Sequence, residues 1–169
     1  RLNLKGTATV NSPWSQRFEI RESSVYINRE QWTMSSGNSI EMDTTGIKIQ
    51  GLTLSRDNQV FKLNGMVSKT SAEPLQFSFD NFSMQNINPL LAQSGFNFGG
   101  VMNGKFSIAG ILSRLNITSS ATIENLAVNG DTIGNADIRS VWDDEKQELD
   151  ADVKVIKGTR RIIDIEGNY

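Results

Sequence analysis

The chain has 169 residues, of which 37% are hydrophobic and 21% charged, and 17 basic against 19 acidic residues give a formal net charge of −2. It contains neither cysteine nor histidine, which excludes disulfides, thiolate chemistry, Ser-His or Cys-His nucleophile pairs and the commonest metal ligand. The near-neutral charge argues against a nucleic-acid partner, which would need a clustered basic face. We therefore expect no enzyme, no catalytic or metal-binding residues and no cofactor.

Alternating apolar and polar residues run through nearly the whole chain, which is the pattern of strands with one buried and one wet face. No doubly wound parallel sheet is indicated, because continuous apolar strands separated by amphipathic helices are missing. The alternating runs, in chain order, are Phe18–Ile20, Val25–Ile27, Trp32–Met34, Ile40–Met42, Ile47–Ile49, Leu52–Leu54, Phe61–Leu63, Leu75–Phe79, Phe106–Ile108, Leu115–Ile117, Ala121–Ile123, Leu126–Val128 and Ala151–Val155.

Turn signals separate these runs at short intervals. Asn, Asp and Gly tolerate the positive φ angles of tight hairpins, so each signal favours a connection between antiparallel neighbours. The predicted hairpin turns are Asp57-Asn58, Asn129-Gly130-Asp131, Asp143-Asp144-Glu145 and Lys157-Gly158-Thr159.

One segment departs from the alternation. Ile87–Gln93 has apolar residues at helical spacing and a proline near its start, which predicts one short helix near residues 87–93. Asn86 or Asn88 would cap its beginning, and Ser94-Gly95 would end it.

Weak repetition accompanies the strands. An apolar-polar-Gly triplet closes a run at Leu4-Lys5-Gly6, Leu63-Asn64-Gly65 and Ile165-Glu166-Gly167, and similar hairpins precede the second and third triplets. Two interpretations stay open: a repeating elongated β architecture, or glycines placed where strands bend or bulge.

Residues that could support chemistry are few. Two groups of carboxylates could supply acid-base groups or cation ligands: Asp143–Glu145, and the pair Asp150 and Asp152. A hairpin turn explains the first group better, and the solvent-exposed face of a strand explains the second. The glycine-rich stretch Gly95–Gly104 lacks the Lys-Ser/Thr and the strand-to-helix junction of a phosphate loop.

The apolar side of the strands is the feature that needs a partner. Two sheets closing into a sandwich would cover it. Alternatively, a single long sheet could curl into a trough that holds acyl chains, because an uncovered apolar stripe of this length would otherwise promote aggregation.

Three stretches in the second half resemble a known family. They are Phe77–Leu91, Gly99–Gly110 and Ala121–Ala136, which place a short helix, an apolar-x-Gly strand and an Asn-Gly-x-x-apolar-Gly strand in succession. This order resembles the repeat region of the translocation and assembly module TamB proteins and the related AsmA-like proteins of bacterial envelopes, in the version found in Bacteroidetes. The resemblance covers about residues 46–169, and residues 1–45 fit only the general β pattern.

The resemblance implies an all-β fold: an elongated, strongly curved, mainly antiparallel sheet forming a taco-like or U-shaped groove with an apolar interior. It also implies a periplasmic segment of an inner-membrane-anchored envelope protein. We interpret residues 1–169 as a single β-groove segment of a much longer chain, because both ends fall within alternating sequence. The implied partners are phospholipid acyl chains and an outer-membrane assembly protein of the BamA/TamA type, with no nucleic acid; the oligomeric state is left open.

The leading hypothesis is a non-enzymatic hydrophobic groove for phospholipid transport between the inner and outer membranes, supporting outer-membrane biogenesis. The alternative is a structural spacer, or a module that assembles outer-membrane proteins by β-strand addition. The residues expected to line the groove are Leu52, Leu54, Phe61, Leu63, Phe77, Phe79, Phe106, Ile108, Ile117, Ile123, Val128, Val153 and Val155.

Overall fold

The computed structural model describes residues 2–70, 73–112, 115–143 and 145–168. Strands dominate this part of the chain, which confirms the predicted all-β class. The elements are β1 (Leu2–Asn3), β2 (Gly6–Ser12), β3 (Ser15–Ile20), β4 (Ser23–Ile27), β5 (Glu30–Met34), β6 (Ser39–Met42), β7 (Gly46–Arg56), β8 (Gln59–Ser68), β9 (Leu75–Ser83), a 3₁₀ helix (Met84–Leu91), β10 (Phe98–Ala109), β11 (Asn116–Val128), β12 (Asp131–Asp143), β13 (Glu148–Lys157) and β14 (Arg160–Asn168).

These strands form one sheet. The main path is β1-β4-β5-β7-β8-β9-β10-β11-β12-β13-β14, and β2, β3 and β6 form a branch that joins it at β7. Consecutive strands in this path are antiparallel wherever their residue register is defined. The antiparallel sheet predicted from the alternation is therefore confirmed.

The branch exists because β7 pairs with two successive short strands along one side. Its first half pairs with β6, where Ile49 lies opposite Ile40, and its second half pairs with β5, where Leu54 lies opposite Met34. The chain between β5 and β6 leaves the sheet ladder, so its backbone groups need other partners.

The buried side chain of Asn38 supplies some of these partners. Its Oδ1 accepts a hydrogen bond from the Ile20 N–H (3.3 Å), and its Nδ2 donates to the carbonyl oxygens of Ile20 (3.2 Å) and Ser35 (2.5 Å). One side-chain amide thus satisfies backbone groups on both sides of the interruption, as buried polar groups require.

Among the interior strand residues with a positive φ angle, three share the same contact to the neighbouring strand. These are Gly51 in β7, Asn81 in β9 and Asn125 in β11, with φ angles of 66°, 50° and 51°. Register shifts in β7 and β11 mark these positions as β-bulges, in which one strand carries an extra residue. The backbone N–H of each donates to an asparagine Oδ1 on the neighbouring strand: Gly51 to Asn64 (2.6 Å), Asn81 to Asn103 (2.8 Å) and Asn125 to Asn135 (2.9 Å).

The bulge in β7 decides which side chains share a face. Ile49 lies opposite Gly65, and Leu52 lies opposite Leu63. Gly65 and Leu63 are two positions apart on β8 and therefore point to the same side. Ile49 and Leu52 consequently share a face although they are three positions apart, and β7 is apolar on one side along its length.

The bulge in β11 has the same effect. Ile123 lies opposite Ala136, and Leu126 lies opposite Gly134, so both apolar side chains lie on one side of the sheet. The strict alternation expected from the sequence is therefore interrupted at these bulges without loss of the apolar side.

By its contacts the chain divides into two compact units. Unit 1 is Arg1–Ser78 with Ser107–Asn116, and unit 2 is Phe79–Phe106 with Ile117–Tyr169. The buried apolar residues of unit 1 are Trp32, Met34 and Leu75, and those of unit 2 are Phe82, Met84, Met102, Ala121, Ile123, Ala136 and Val155.

The predicted short helix exists, but its bounds and caps differ from the expectation. It is a 3₁₀ helix that starts three residues early, at Met84, and ends at Leu91, with Ser83 at its N-cap position. Asn88 does not cap it; its side chain instead exchanges two hydrogen bonds with the backbone of Phe98, at 2.8 and 3.0 Å. Within the described residues, no helix is long and apolar enough to cross a membrane.

The turns largely follow the sequence. Two-residue connections at Asp57-Asn58, Asn129-Gly130 and Gly158-Thr159 join consecutive strands, and Asp57 and Asn129 have positive φ angles as expected. Asp143 ends β12, and Asp144 of the fourth predicted turn lies outside the described residues.

The glycine of the triplet Leu63-Asn64-Gly65 fills a place where a side chain has no room. Gly65 has φ 116°, and a Cβ there would lie 1.9 Å from the carbonyl oxygen of Pro74. Gly130, in a hairpin turn, has φ 91° but open space around it. The two positions share the unfavourable backbone angle and differ in the steric contact.

We expect Gly65→Ala to reduce the free energy of unfolding far more than Gly130→Ala. The turn variant should lose about 1 to 2 kcal/mol from its backbone angle alone, whereas the strand variant must also displace a neighbouring strand and should lose about 3 kcal/mol or more. Urea unfolding followed by circular dichroism measures both. Equal losses would show that the close approach to Pro74 is not a constraint.

The asparagine contacts give a second prediction. Asn135→Ala removes the acceptor for the bulge N–H of Asn125 and should cost about 0.5 to 1.5 kcal/mol, the range for one hydrogen bond. Asn135→Asp keeps an acceptor oxygen at the same place and should cost less. If the two variants unfold at the same urea concentration, the side-chain oxygen contributes nothing.

Candidate apolar binding face

In unit 1 the register places the predicted lining residues of two strands directly opposite one another. Leu52 lies opposite Leu63, and Leu54 lies opposite Phe61. Leu54 also lies opposite the buried Met34 on its other side. Paired residues of antiparallel strands point to the same side of the sheet, so these side chains share one surface, the apolar face of unit 1.

Aromatic contact extends this surface to β9. The ring centroids of Phe61 and Phe77 are 6.3 Å apart with planes tilted by 40°. Both rings are partly exposed. The structure therefore brings Leu52, Leu54, Phe61, Leu63 and Phe77 together in unit 1.

In unit 2 the register defines a second apolar face. Its central row runs from Ile123 through Ala136 and Val155 to Ile163 across four strands. A parallel row places Ala121, Ile138, Val153 and Ile165 side by side. The predicted residues Ile123, Val153 and Val155 are therefore brought together here.

A separate aromatic cluster lies in unit 2. Phe79 contacts Phe82 and Phe106 edge to face, with ring centroids 5.0 and 5.7 Å apart. This places the predicted residues Phe79 and Phe106 in contact. Edge-to-face ring pairs add to stability beyond the free energy gained from the area that they bury, so this cluster stabilises the packing between β9 and β10.

Three predicted lining residues lie outside these rows and clusters. Val128 lies beyond two register shifts, opposite Asp131 at the end of a hairpin. Ile117 lies two positions before Ser119, whose hydroxyl bonds that of Ser140 at 2.8 Å on the same side as Ala121. Ile108 lies in β10 and is partly exposed.

Burial divides the thirteen predicted residues into two groups. Ile123 and Val155 are buried, and the other eleven are partly exposed. Partly exposed apolar side chains on one face still present area that another apolar group can cover.

Several residues of these faces were not among the predicted ones. Met34, Ala121, Ala136 and Met102 are buried, and Trp32 is 0% exposed. Trp32 and Met34 belong to an alternating run and could have been included among the predicted lining residues. The alanines are too small and too weakly apolar for the sequence to indicate that they are buried.

The opposite side of β13 and β14 carries charges that pair with one another. Lys154 Nζ donates to Asp152 Oδ2 at 2.5 Å, and this bond raises the pKa of Lys154 above 10.5. Carboxylate oxygens of Asp152, Asp164 and Glu166 lie within 4.8 Å of one another. The lysine beside them supplies the compensating charge, as on an ordinary solvated strand face.

The carboxylate of Asp143 stabilises a turn. Its Oδ1 accepts hydrogen bonds from the backbone N–H groups of Glu145 (2.9 Å) and Lys146 (3.0 Å), and the bond from Lys146 is the largest cause that lowers its pKa below 3.8. This agrees with the interpretation of Asp143–Glu145 as a turn.

Two surface clefts in the described residues have both polar and apolar groups in their lining. One in unit 1, of about 340 Å³, is lined by residues that include Arg17, Arg21, Asn38 and Gln50. One in unit 2, of about 330 Å³, lies along Arg139–Val141 and Asp150–Asp152. Arg17 is already engaged by Glu19 and Glu41, and Asn38 by backbone groups, so neither offers a free group to a ligand.

The Lys154–Asp152 bond predicts a stability difference at alkaline pH. Because the folded pKa of Lys154 is raised, the stabilisation is complete below 10.5 and is lost as pH rises through the raised value. Asp152→Asn should therefore unfold at lower urea than the unsubstituted chain near neutral pH, and the two should converge above pH 10.5. A gap that persists unchanged at high pH would contradict this assignment.

Comparisons with known proteins were made for the whole chain. No protein-family model, no curated protein and no solved structure matches it.

Proposed function

We propose that the chain is a non-enzymatic lipid-holding segment, whose apolar faces receive phospholipid acyl chains while headgroups stay in water. In this proposal it belongs to a TamB/AsmA-like periplasmic protein, anchored in the inner membrane, that carries phospholipid between the inner and outer membranes. The observation that carries this proposal is the burial of the apolar residues. Eleven of the thirteen predicted lining residues are partly exposed, so they are neither fully buried nor fully exposed to solvent.

The topology supports this proposal. Every described strand belongs to one sheet, so the described residues contain no second sheet that could cover the apolar side as in a sandwich. The bulges of β7 and β11 keep apolar side chains on that side where simple alternation would have turned them away. A surface maintained in this way suits a long, unbranched apolar ligand.

The energetics suit transport more than storage. Each CH₂ group removed from water contributes about 0.8 kcal/mol, so partial burial of one acyl chain gives a useful residence time without tight binding. Among the described residues no charged side chain is buried. A curved groove, the shape implied by the family resemblance, would raise the covered area per chain.

The charge distribution supports the absence of a nucleic-acid partner. Four arginines pair with acidic neighbours: Arg17 with Glu19 and Glu41, Arg56 with Glu30, Arg139 with Asp137, and Arg161 with Asp164. A phosphate-binding stripe would need these charges unpaired and aligned.

Strand addition is the competing function, and the sheet edge favours it. β14 is the last strand of the path, and Ile163 and Ile165 are exposed there. An exposed edge offers unpaired backbone groups to another strand. In this alternative an assembly protein of the outer membrane, or its unfolded client, would pair with β14.

Bound lipid tests the proposal. Native mass spectrometry of the gently purified chain should detect phospholipid, and Leu63→Asp in unit 1 or Val153→Asp in unit 2 should remove it, because a charge must then be desolvated beside the acyl chain. Their melting temperatures should change little, since both positions are partly exposed. Lys62→Asp, on the opposite side of β8, and Ser120→Asp, on the opposite side of β11, should retain the lipid.

A core position provides the contrast. Val155→Asp places a charge at a buried position and should unfold the chain. If Leu63→Asp and Val153→Asp also unfold it, their positions are closed core, and strand addition becomes the better proposal. Absence of lipid from a folded, unsubstituted chain would reject lipid holding.

A further inference from the structure

A patch of exposed apolar side chains lies at one end of unit 1, where β2, β3, β6 and β7 end or turn. Val10 lies opposite Gln16, Gln16 lies opposite Met42, and Met42 lies opposite Ile47. Their apolar members are 67% (Val10), 42% (Met42) and 37% (Ile47) exposed. Trp14, in the turn of the β2–β3 hairpin next to this row, is 74% exposed. We name these four residues the tip patch.

The hairpin that carries the patch is uncharged. No acidic or basic residue occurs from Gly6 to Gln16. The next charge, Arg17, is paired with Glu19 and Glu41. The tip can therefore approach an apolar phase without desolvating a free charge, which would be costly.

The turn orders the backbone at Trp14 and leaves the indole exposed. The backbone N–H of Trp14 donates to Ser12 Oγ at 3.3 Å, and Pro13 precedes it with a restricted φ angle. An indole combines an apolar body with one N–H donor, and tryptophan is enriched where membranes meet water.

The rim of the patch also fits a membrane surface. Asp43 closes the β6–β7 turn by accepting hydrogen bonds from the backbone N–H groups of Thr45 and Gly46. Val67 of β8 lies opposite Ile47 of the patch, and the exposed Lys69 follows directly after β8. Asp43 and Lys69 carry opposite charges, so their sum adds no net charge to this end of unit 1. The patch therefore favours a zwitterionic surface over a strongly charged one.

The size of the patch distinguishes a membrane from a protein partner. A stable protein interface takes roughly 20 to 30 residues a side. Four side chains at strand ends and a hairpin turn fall far below this, yet a few residues that penetrate about 5 to 10 Å suffice for contact with a bilayer interface.

We propose that the tip patch is a membrane-contact site, with the Trp14 indole at the level of the lipid headgroups and Val10 beside it. This contact involves the surface of a bilayer and a hairpin turn, whereas lipid holding involves single acyl chains on the apolar faces. It does not depend on that function, and either can fail without the other.

Tryptophan fluorescence tests the contact, because the three tryptophans differ in exposure. Trp32 is 0% exposed and Trp142 is partly exposed, so Trp14 is the one that a vesicle can reach most readily. Added phosphatidylcholine vesicles should shift the emission to shorter wavelength, and brominated phosphatidylcholine should quench it. Because no free charge takes part, binding should change little between low and high salt.

Substitutions test whether vesicle binding depends on the tip patch or on any exposed apolar side chain. Trp14→Ser should weaken vesicle binding about tenfold or more, as expected for loss of one buried aromatic side chain. Val10→Asp should weaken it as well. The control is Leu90→Ser, which removes an apolar side chain that is 86% exposed on the 3₁₀ helix in unit 2 and should bind like the unsubstituted chain. Vesicle sedimentation measures all four proteins, and unchanged melting temperatures show that they are folded.

Three results would overturn the proposal. The unsubstituted chain could fail to bind vesicles, or Trp14→Ser could bind as well as it does. A blue shift that appears without vesicles and grows with protein concentration would instead make a second copy of the chain the occupant of the patch.

Discussion

The hydrogen bond from a left-handed backbone N–H to an asparagine side chain on the next strand is the interaction on which this sheet depends. A bulge adds one residue to a strand and leaves its N–H without a ladder partner. At the bulge residues Gly51 and Asn125 the missing partner is an asparagine Oδ1, and the N–H of Asn81 in β9 makes the same contact. The extra residue can then be accommodated, and long strands keep one apolar side in spite of the interruption. Candidate ligand-binding surfaces in both units follow from this local arrangement.

The two sides of the sheet consequently have separate chemistry. Charged residues of β13 and β14 pair among themselves, as Lys154 does with Asp152 and Arg161 with Asp164. These ion pairs offset part of the charge on the solvent-exposed side of β13 and β14. The apolar side has large side chains that neighbouring strands cover only in part, so an apolar ligand placed there would remove further apolar area from water.

Sequence periodicity predicted most of the strands, the antiparallel pairing and the two-residue turns, because alternation and turn chemistry act over a few residues. None of the predicted alternating runs falls in β1, β2, β12 or β14. Periodicity was also not sufficient for the bulges, although their signal is present: Ile49-Gln50-Gly51-Leu52 and Ile123-Glu124-Asn125-Leu126 each separate two apolar residues by three positions. The helix starts earlier than expected because β9 continues directly into it, and Asn88 bonds to Phe98 instead of capping it. The difference between the buried Val155 and the partly exposed Val153 could not be predicted, because the two side chains are two positions apart and point to the same side of the sheet.

The spacing at the bulges has a consequence for how such a chain tolerates insertions and deletions. Removing one residue between Ile49 and Leu52 would leave them two positions apart, so both would still point to the same side and only the bulge would disappear. Removing one residue elsewhere in β7 would turn every later side chain to the opposite side. Single-residue length changes are therefore compatible with the two-sided character of the sheet at Gln50 and Gly51, and at the equivalent positions of β11, and incompatible with it in the regular parts of those strands.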